Sequence, residues 1–325
     1  MYPCPYSEFD CKENRSGLRI ILGGENPMKK KYRKLHRESV AGIIILLMLC
    51  LICILPLLMV VSASLTDEKY IQMNGYSLLP VKPSLATYQF LIMNKGKMLL
   101  HSMVMTVKVV ILGTLFSVSV VTCFAYSVTQ KKDVFRFTRQ LSFFAWFATI
   151  FSGGVLPWYI LCTQYYGLKN NVWAMFIPYG MNVFNMFILR GNFRQIPEEM
   201  FESAKLDGAS HAQIFFRISI PLARSGIVTV ALFNILTFWN DFYLPQWLIS
   251  DSDYMTLQKM LYGMLSNAQA LLKNSELSDV FSKITLPTET AKMAVAVMAI
   301  LPLMLLYPFA LRYFVKGINM GGVKG

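Results

Sequence analysis

The sequence lacks the residue patterns on which most enzymes depend. Its three histidines lie far apart and form no cluster with the spacing of metal ligands. No G-x-x-x-x-G-K-[ST] loop is present, so the chain does not bind ATP in that manner, and neither a serine elbow nor a zinc signature appears. We therefore predict a chain without catalytic residues, without a metal and without a cofactor of its own.

Charged residues and disulfide-forming cysteines are also scarce. Charged residues make up 15% of the chain, whereas 55% of it is hydrophobic. The six cysteines give no disulfide framework, and the C-x-x-C at Cys50 and Cys53 lies inside an unbroken apolar run. Such a composition would leave large apolar patches on a soluble domain. It predicts an all-α protein that crosses the lipid bilayer several times.

The net charge of +13 does not indicate a nucleic-acid partner. The basic residues cluster beside the apolar runs, as they do where a chain meets the cytoplasmic membrane face. We expect no nucleic acid to bind.

Six apolar segments read as membrane spans, and the first is long enough to cross a ~30 Å hydrocarbon core at about 1.5 Å per residue. We predict spans at about residues 40–63, 103–128, 141–162, 172–189, 226–249 and 292–314. Basic residues flank the first span and follow the second, whereas acids outnumber lysines in the loop at 250–290. This distribution predicts six transmembrane helices with both termini in the cytoplasm, an N-in/C-in topology.

A polar segment at residues 196–221 lies between the fourth and fifth spans. Pro197 and the acids after it favour a helix start, and Gly208 favours its stop. Ser210 is placed to cap a second short helix that we expect Pro221 to end. An angular helix pair of this kind at a membrane face is suited to docking against another protein.

The predicted third span is interrupted by Ser152-Gly153-Gly154 and by Pro157. Such residues leave backbone groups unpaired in lipid, so this portion is expected to face protein or water. A simple kink and a gate in a solute pathway both remain open.

Polar residues in the fourth and fifth spans are candidates for lining a pathway. They are Asn182, Asn185, Asn234, Trp239, Asn240 and Asp241. Asp241 is an acid well inside a span, so it should face a cavity, a partner or the outer interface. Pathway lining and structural pairing are both open for Asp241, and Trp239 either stacks on a sugar or packs between helices.

The polar segment resembles the E-A-A…G…I-x-L-P signature of ABC importer permeases. The matching residues are Glu202, Ser203, Ala204, Asp207, Gly208, Ala209, Ile218, Ile220 and Pro221. Ser203 departs from the first alanine of the signature, and Ile220 departs from its leucine. In such permeases this segment seats on the ATPase, so the resemblance implies that these residues couple the chain to an ATPase.

Further stretches resemble carbohydrate permeases of the LplC/YtcP type. They are Trp239–Phe242 followed by Pro245, Phe151–Pro157, Tyr313–Gly317, and the ending Gly322–Gly325. The resemblance covers about residues 29–325. It implies domain boundaries at 29–100 for the first helix and extracellular loop, 101–314 for the type-1 transmembrane domain, and 315–325 for a cytoplasmic tail. Residues 1–28 lie outside it, and we predict a non-native or disordered extension with translation starting at Met28.

The resemblance implies the transmembrane-domain fold of a type I ABC importer in a bacterial plasma membrane. Two permease subunits then form the pathway, a cytoplasmic ABC ATPase dimer binds ATP and Mg²⁺, and an extracellular solute-binding lipoprotein delivers the solute. The expected cargo is a sugar or an oligosaccharide.

Other functions remain as alternatives. The same machine could import a peptide or a phosphonate, because cargo choice rests largely on the binding protein. A secondary transporter would show internal repeats and several ionisable groups near the midplane, and a membrane enzyme would show a catalytic set at one depth. The sequence shows neither pattern.

Overall fold

A computed structural model describes residues 27–130, 135–273 and 289–319. Most of these residues are helical; no strand occurs among them, and one isolated bridge joins Thr66 to Pro83. The chain divides into two compact units, residues 1–59 and 60–325. The predicted extension at 1–28 lies almost entirely outside the described residues.

The first unit consists, in its described part, of the helix α1, Pro27–Ser64, which runs on into the second unit. Its 23-residue stretch Gly42–Ser64 has a mean hydropathy of 3.4 and overlaps the predicted first span at 40–63. At about 1.5 Å per residue this stretch is long enough to cross a bilayer. Pro56 lies inside the helix without ending it.

The second unit is a set of helices arranged along one long helix. The helices are α2 (Glu68–Asn74), α3 (Ala86–Ser127), α4 (Thr138–Ile150), α5 (Val155–Tyr165), α6 (Val183–Arg194), α7 (Glu198–Leu206), α8 (His211–Leu222), α9 (Arg224–Asn240), α10 (Tyr243–Leu248), α11 (Leu257–Lys273) and α12 (Glu289–Asn319). Short 3-10 turns at Val172–Met175 and Ile177–Tyr179 precede α6, and another at Ser252–Tyr254 precedes α11.

The long helix α3 carries two levels of the hydrophobic core. Met105 and Val109 belong to one cluster, which also contains Cys162 and Phe238. Val121 belongs to a second cluster, which joins Ala145 of α4, Leu189 of α6 and Val230 of α9. Both clusters include residues of the predicted second span, so the other helices of the unit pack against α3 at two positions along it.

The predicted third and fourth spans are broken rather than continuous, because α4 and α5 meet at 116° and the 3-10 turns meet α6 at 55°. A further bend of 76° joins α8 to α9, just before the predicted fifth span. By length and composition two of the described helices are long and apolar enough to cross a membrane unbroken, or up to five segments are if each bent pair is one span. The segment predicted as the fifth span, 226–249, consists of two helices, because the first ends at Asn240 and the second begins at Tyr243.

The start of α12 is held by residues from the beginning of the second unit. The buried Glu68 carboxylate accepts hydrogen bonds from the backbone N–H of Glu289 at 3.1 Å and of Thr290 at 2.8 Å. The Thr290 hydroxyl also donates to Glu68 at 2.6 Å and lies 2.8 Å from the hydroxyl of Thr87 on α3. Helix N-termini favour a carboxylate at this place because their first N–H groups have no partner within the helix.

Candidate functional site: a coupling elbow and a polar cavity

The predicted helix pair at residues 196–221 is present, and its turn is closed by backbone hydrogen bonds. Gly208 adopts φ +77°, a left-handed conformation that glycine enters without strain. The Ala209 N–H donates to Ala204 O at 2.9 Å, and the Gly208 N–H donates to Lys205 O at 3.0 Å. This is the Schellman arrangement that ends a helix. We call residues 196–222 the coupling elbow.

The second half of the elbow begins with the predicted cap. Ser210 and Gln213 form a reciprocal capping box, in which each side chain accepts a hydrogen bond from the backbone N–H of the other. The helix does not end at Pro221, as predicted, but at Leu222. A π turn at Phe215–Ser219 widens the helix before the proline ring, and such a turn relieves the clash of that ring with the preceding carbonyls.

The elbow buries one side and exposes the other. Ala204 and Ile214 are buried, whereas Glu202, Ser203 and Asp207 are exposed. Two large apolar side chains on either side of Gly208 are also exposed, Leu206 at 89% and Phe216 at 65%. Neither was predicted as a site residue. Their apolar character within an otherwise polar segment was the signal that could have identified them.

Aromatic contacts join the elbow to the core of the membrane unit. The Tyr126 ring at the end of α3 lies 4.7 Å from the Phe215 ring of α8 and 5.7 Å from the Phe193 ring of α6. Beside Tyr126 a cleft of about 270 Å³ is lined partly by Arg194, Glu198, Glu202 and Lys205. A displacement of α8 would therefore act directly on the ends of α3 and α6.

Two broken spans meet at a second cavity, and a side chain caps each break. Asn182 accepts a hydrogen bond from the Asn185 N–H at 3.1 Å and so begins α6. Asp241 Oδ1 accepts hydrogen bonds from the N–H groups of Tyr243 at 2.9 Å and Leu244 at 3.3 Å, at the start of α10. Irregular backbone at membrane depth is tolerated where it is buried in protein or lines a cavity, and this cavity borders both breaks.

The polar cavity has a volume of about 400 Å³. It is lined by Pro178, Tyr179, Met181, Asn182, Asn234, Thr237, Phe238, Asn240, Asp241 and Phe242. Four of the six predicted pathway residues are among them. Tyr179 and Thr237 were not predicted, and their place on the wall depends on packing between distant helices.

The other two predicted pathway residues lie behind the cavity wall. Asn185 is buried, and its Nδ2 donates to Asn234 Oδ1 at 3.0 Å, which joins α6 to α9. Trp239 is buried, and its Nε1 donates to the Ala299 carbonyl of α12 at 3.0 Å. Trp239 was expected either to stack on a sugar or to pack between helices, and in the structure it packs between helices.

Two polar atoms of the wall are buried without a hydrogen-bond partner in the described structure. They are Asn234 Nδ2 and Asp241 Oδ2. An unpaired buried polar atom is costly, so the wall of the cavity carries hydrogen-bonding capacity that the described residues leave unused. One of the two atoms is a donor and the other an acceptor.

The far end of α10 is capped by a lysine. Lys259 of α11 donates hydrogen bonds to the carbonyls of Pro245, at 3.1 Å, and of Ile249. Burial lowers the pKa of this lysine. Both ends of the short helix beside the cavity are thus fixed by side chains, Asp241 at its start and Lys259 at its end.

Close helix packing supports the cavity at two glycines. A Cβ at Gly113 of α3 would lie 2.9 Å from both Phe176 and Phe238, and one at Gly180 would lie 2.4 Å from Phe116. Only glycine leaves room for these aromatic rings.

Within the described ranges, no group of three or more His, Cys, Asp or Glu side chains is arranged to hold a metal ion.

A helical membrane unit with a polar cavity at its broken spans and an exposed elbow is the architecture of a transport subunit. The sequence model of binding-protein-dependent transport system inner membrane components matches residues 29–320. The chain belongs to this family, and it is a multi-pass protein of the bacterial plasma membrane.

Individual relatives agree with this assignment. The chain is 32% identical over 280 residues to the polygalacturonan/rhamnogalacturonan transport system permease YtcP of Bacillus subtilis, covering 86% of this chain and 96% of the relative. It is 31% identical to protein LplC of the same organism, covering 84% and 90%. A bacterial ABC transporter involved in alginate import shares the fold, with a TM-score of 0.72 at 24% identity, covering 86% of this chain and 97% of that chain.

Proposed function

We propose that this chain is a permease subunit of an ATP-driven, binding-protein-dependent importer of sugars or oligosaccharides. The observation that carries the proposal is the polar cavity between two capped breaks. Its amide, hydroxyl, carboxylate and aromatic groups are those that bind the hydroxyls and apolar faces of a sugar. Relatives named for polygalacturonan, rhamnogalacturonan and arabinooligosaccharide transport support a carbohydrate cargo.

The proposed topology has six spans with both termini in the cytoplasm. The spans are α1, α3, the bent pair α4–α5, the 3-10 turns with α6, α9 with α10, and α12, and the coupling elbow, which includes α8, faces the cytoplasm. The basic residues beside the elbow and after α3 support this orientation.

In the proposed mechanism the elbow docks in a groove of a cytoplasmic ABC ATPase dimer. Leu206 and Phe216 supply its apolar contacts, and Glu202 supplies a charged contact. When the ATPases close on ATP and Mg²⁺, the elbow moves as a rigid body, because its turn is fixed by backbone hydrogen bonds. Tyr126 and α9 carry this displacement to the cavity, which opens alternately to the two sides.

The proposal places the chemistry on other chains. This chain carries no cofactor, and a second permease subunit completes the pathway. An extracellular solute-binding lipoprotein delivers the sugar. The permease itself supplies the cavity wall and the mechanical connection to the ATPase.

Reconstitution tests the proposal. The importer is purified through this chain, placed in proteoliposomes with its binding protein, and its ATPase rate is measured across panels of oligosaccharides, peptides and phosphonates. We expect an ATPase to co-purify and a subset of oligosaccharides to stimulate it. Stimulation by peptides or phosphonates alone would exclude the sugar assignment, and a chain that transports solute without any ATPase would exclude the importer assignment.

A further inference from the structure

The wall of the polar cavity carries three aromatic residues, and their rings differ in exposure. Phe238 is buried and lies close against Gly113 of α3. Tyr179 is partly buried and packs against the first core cluster. Phe242 is 43% exposed. Of the three, Phe242 is therefore the residue whose ring is most available to a solute in the cavity.

The backbone on both sides of Phe242 is fixed. This residue lies in the short link between the end of α9, at Asn240, and the start of α10, at Tyr243. Asp241 Oδ1 accepts hydrogen bonds from the N–H groups of Tyr243 and Leu244, which closes the link around Phe242. Because α9 has 17 residues and begins at the coupling elbow, Phe242 lies about 25 Å from the elbow along this helix.

The Phe242 ring is supported by Tyr262 of α11. The centroids of the two rings are 5.0 Å apart and their planes differ by 18°, so the rings are stacked. α11 is itself well anchored, because Leu257 and Met260 are buried and the Leu257 N–H donates to Thr106 Oγ1 of α3 at 2.9 Å. Tyr262 therefore offers a fixed support to a ring that borders the cavity.

An aromatic ring beside polar groups suits a pyranose. The face of an aromatic ring is negative and attracts C–H groups, which a pyranose presents on its apolar face. The amide of Asn240 and the carboxylate of Asp241 lie next to Phe242 on the same wall and can bind the hydroxyls. A lipid chain has no hydroxyls to match such a wall, so a sugar ring fits this end of the cavity better.

We propose that Phe242 stacks on a pyranose ring of the transported oligosaccharide, and that Tyr262 is the positioning residue that holds the Phe242 ring for this contact. The inference rests on the proposed function and deepens it, because it names the feature of the substrate that the cavity recognises. A ring already stacked on Tyr262 loses less conformational freedom when the sugar binds than a freely rotating ring would.

Retention of a labelled oligosaccharide tests the stacking. The probe is the tritiated form of the oligosaccharide that most strongly stimulates the reconstituted ATPase. The complex is arrested with ATP and orthovanadate in the presence of the loaded binding protein, washed, and assayed for sugar per trapped nucleotide. Phe242→Leu should retain about tenfold less sugar, as expected for the loss of one aromatic contact. Phe242→Trp should retain it, because a larger aromatic ring still stacks.

The ratio to trapped nucleotide separates binding from coupling. A variant that is merely misfolded or uncoupled would lose nucleotide and sugar together, whereas the stacking role predicts a loss of sugar alone. An equal loss of sugar in the leucine and tryptophan variants would assign Phe242 to packing and overturn the inference. Full retention by Phe242→Leu would also overturn it.

Variants of Tyr262 and a matched control test the positioning role. Tyr262→Leu removes the stacked ring and should lower sugar retention, whereas Tyr262→Phe keeps the ring and should restore it. Trp247→Leu is the control, because Trp247 of α10 is 46% exposed and contacts the rings of Tyr159 and Tyr243 without lining the cavity. It should retain the sugar. Full retention by Tyr262→Leu, or a loss in Trp247→Leu equal to that in Phe242→Leu, would refute the assignment.

The two levels of failure are distinguishable. If no ATPase co-purifies with the unaltered chain, or if the arrested complex holds no oligosaccharide of the panel, the proposed function itself fails. If the unaltered complex retains the oligosaccharide and Phe242→Leu retains as much, only the stacking assignment fails.

Discussion

The coupling elbow and the polar cavity use polar residues in opposite ways. In the elbow, backbone hydrogen bonds and the Ser210 cap fix the fold, and the side chains proposed to dock the ATPase are exposed. At the cavity, two of the side chains that line the wall also hold the backbone, since Asn182 and Asp241 cap the helices that form it. The proposed function is therefore separable from stability in the elbow and inseparable from it at the cavity. Variants ordered by expected effect test this difference.

The largest effect is expected at the turn of the elbow. Gly208→Val forces a β-branched residue into φ +77°, so the turn must distort and coupled transport should fall to background. Gly208→Asn is the control, because asparagine tolerates the left-handed region and should retain most activity. Solute-stimulated ATPase activity in proteoliposomes is the measurement. Normal coupling in the valine variant would show that the turn geometry is not required.

Next come the exposed apolar residues of the elbow. Leu206→Ser and Phe216→Ser remove buried contacts only if a partner covers them, and such contacts reach about 2 kcal/mol or ~30-fold in affinity. We expect coupled ATPase activity to fall about tenfold or more, with the thermal midpoint of the isolated chain unchanged. If the thermal midpoint instead fell as much as it does in the Asp241→Ala variant of the cavity, stability and function would not be separable in the elbow.

At the cavity, Asp241→Ala should reduce transport and stability together. It removes the acceptor for the Tyr243 and Leu244 N–H groups, and the loss of such a cap costs about 0.5–2 kcal/mol. Asp241→Asn keeps a capping oxygen and should restore the thermal midpoint. Transport assays and thermal unfolding in detergent measure the two effects. If the alanine variant lost transport but kept its full stability, Asp241 would act in transport without stabilising the start of α10.

The buried amide pair allows a double-mutant test. Asn185→Leu or Asn234→Leu alone leaves a buried polar group unpaired, which costs about 1–3 kcal/mol. The double variant should be less destabilised than the sum of the single variants, because both polar groups are then removed. Thermal or denaturant unfolding gives the free energies. Strict additivity would mean that the 3.0 Å contact contributes nothing.

A pair of glycine variants includes the smallest expected effect, which is that of Gly191→Ala. Gly113→Ala places a Cβ 2.9 Å from Phe176 and Phe238, and overpacking of this kind costs about 1–3 kcal/mol. Gly191→Ala meets nothing within 4 Å and should be neutral or stabilising by up to ~1 kcal/mol. The difference in thermal midpoint between the two variants is the readout. Equal midpoints would show that α3 and the two phenylalanine rings move apart without a loss of stability.

The elbow could be predicted from the sequence because local signals control it. Pro197, Gly208 and Ser210 each act on residues within one helical turn, and the structure confirms their starts, stop and cap. The capping roles of Asn182 and Asp241 were not predicted. An asparagine or aspartate inside an apolar run suits a cap, a buried pair or a cavity wall equally well, and only packing between distant helices decides among them. Trp239 illustrates this limit, because its partner Ala299 lies 60 residues away.

The contact of Glu68 with the first turn of α12 has a consequence for biogenesis. The carboxylate and its partners Glu289 and Thr290 are separated by 221 and 222 residues, so ribosomes complete the acceptor long before the donors exist. Gln72 Nε2 donates to the same carboxylate at 3.1 Å from four residues away, whereas the N–H groups of Glu289 and Thr290 arrive only with the last helix. Joining the two ends of the bundle is therefore a late step of membrane insertion, and chains truncated before residue 289 would lack these two donors from α12.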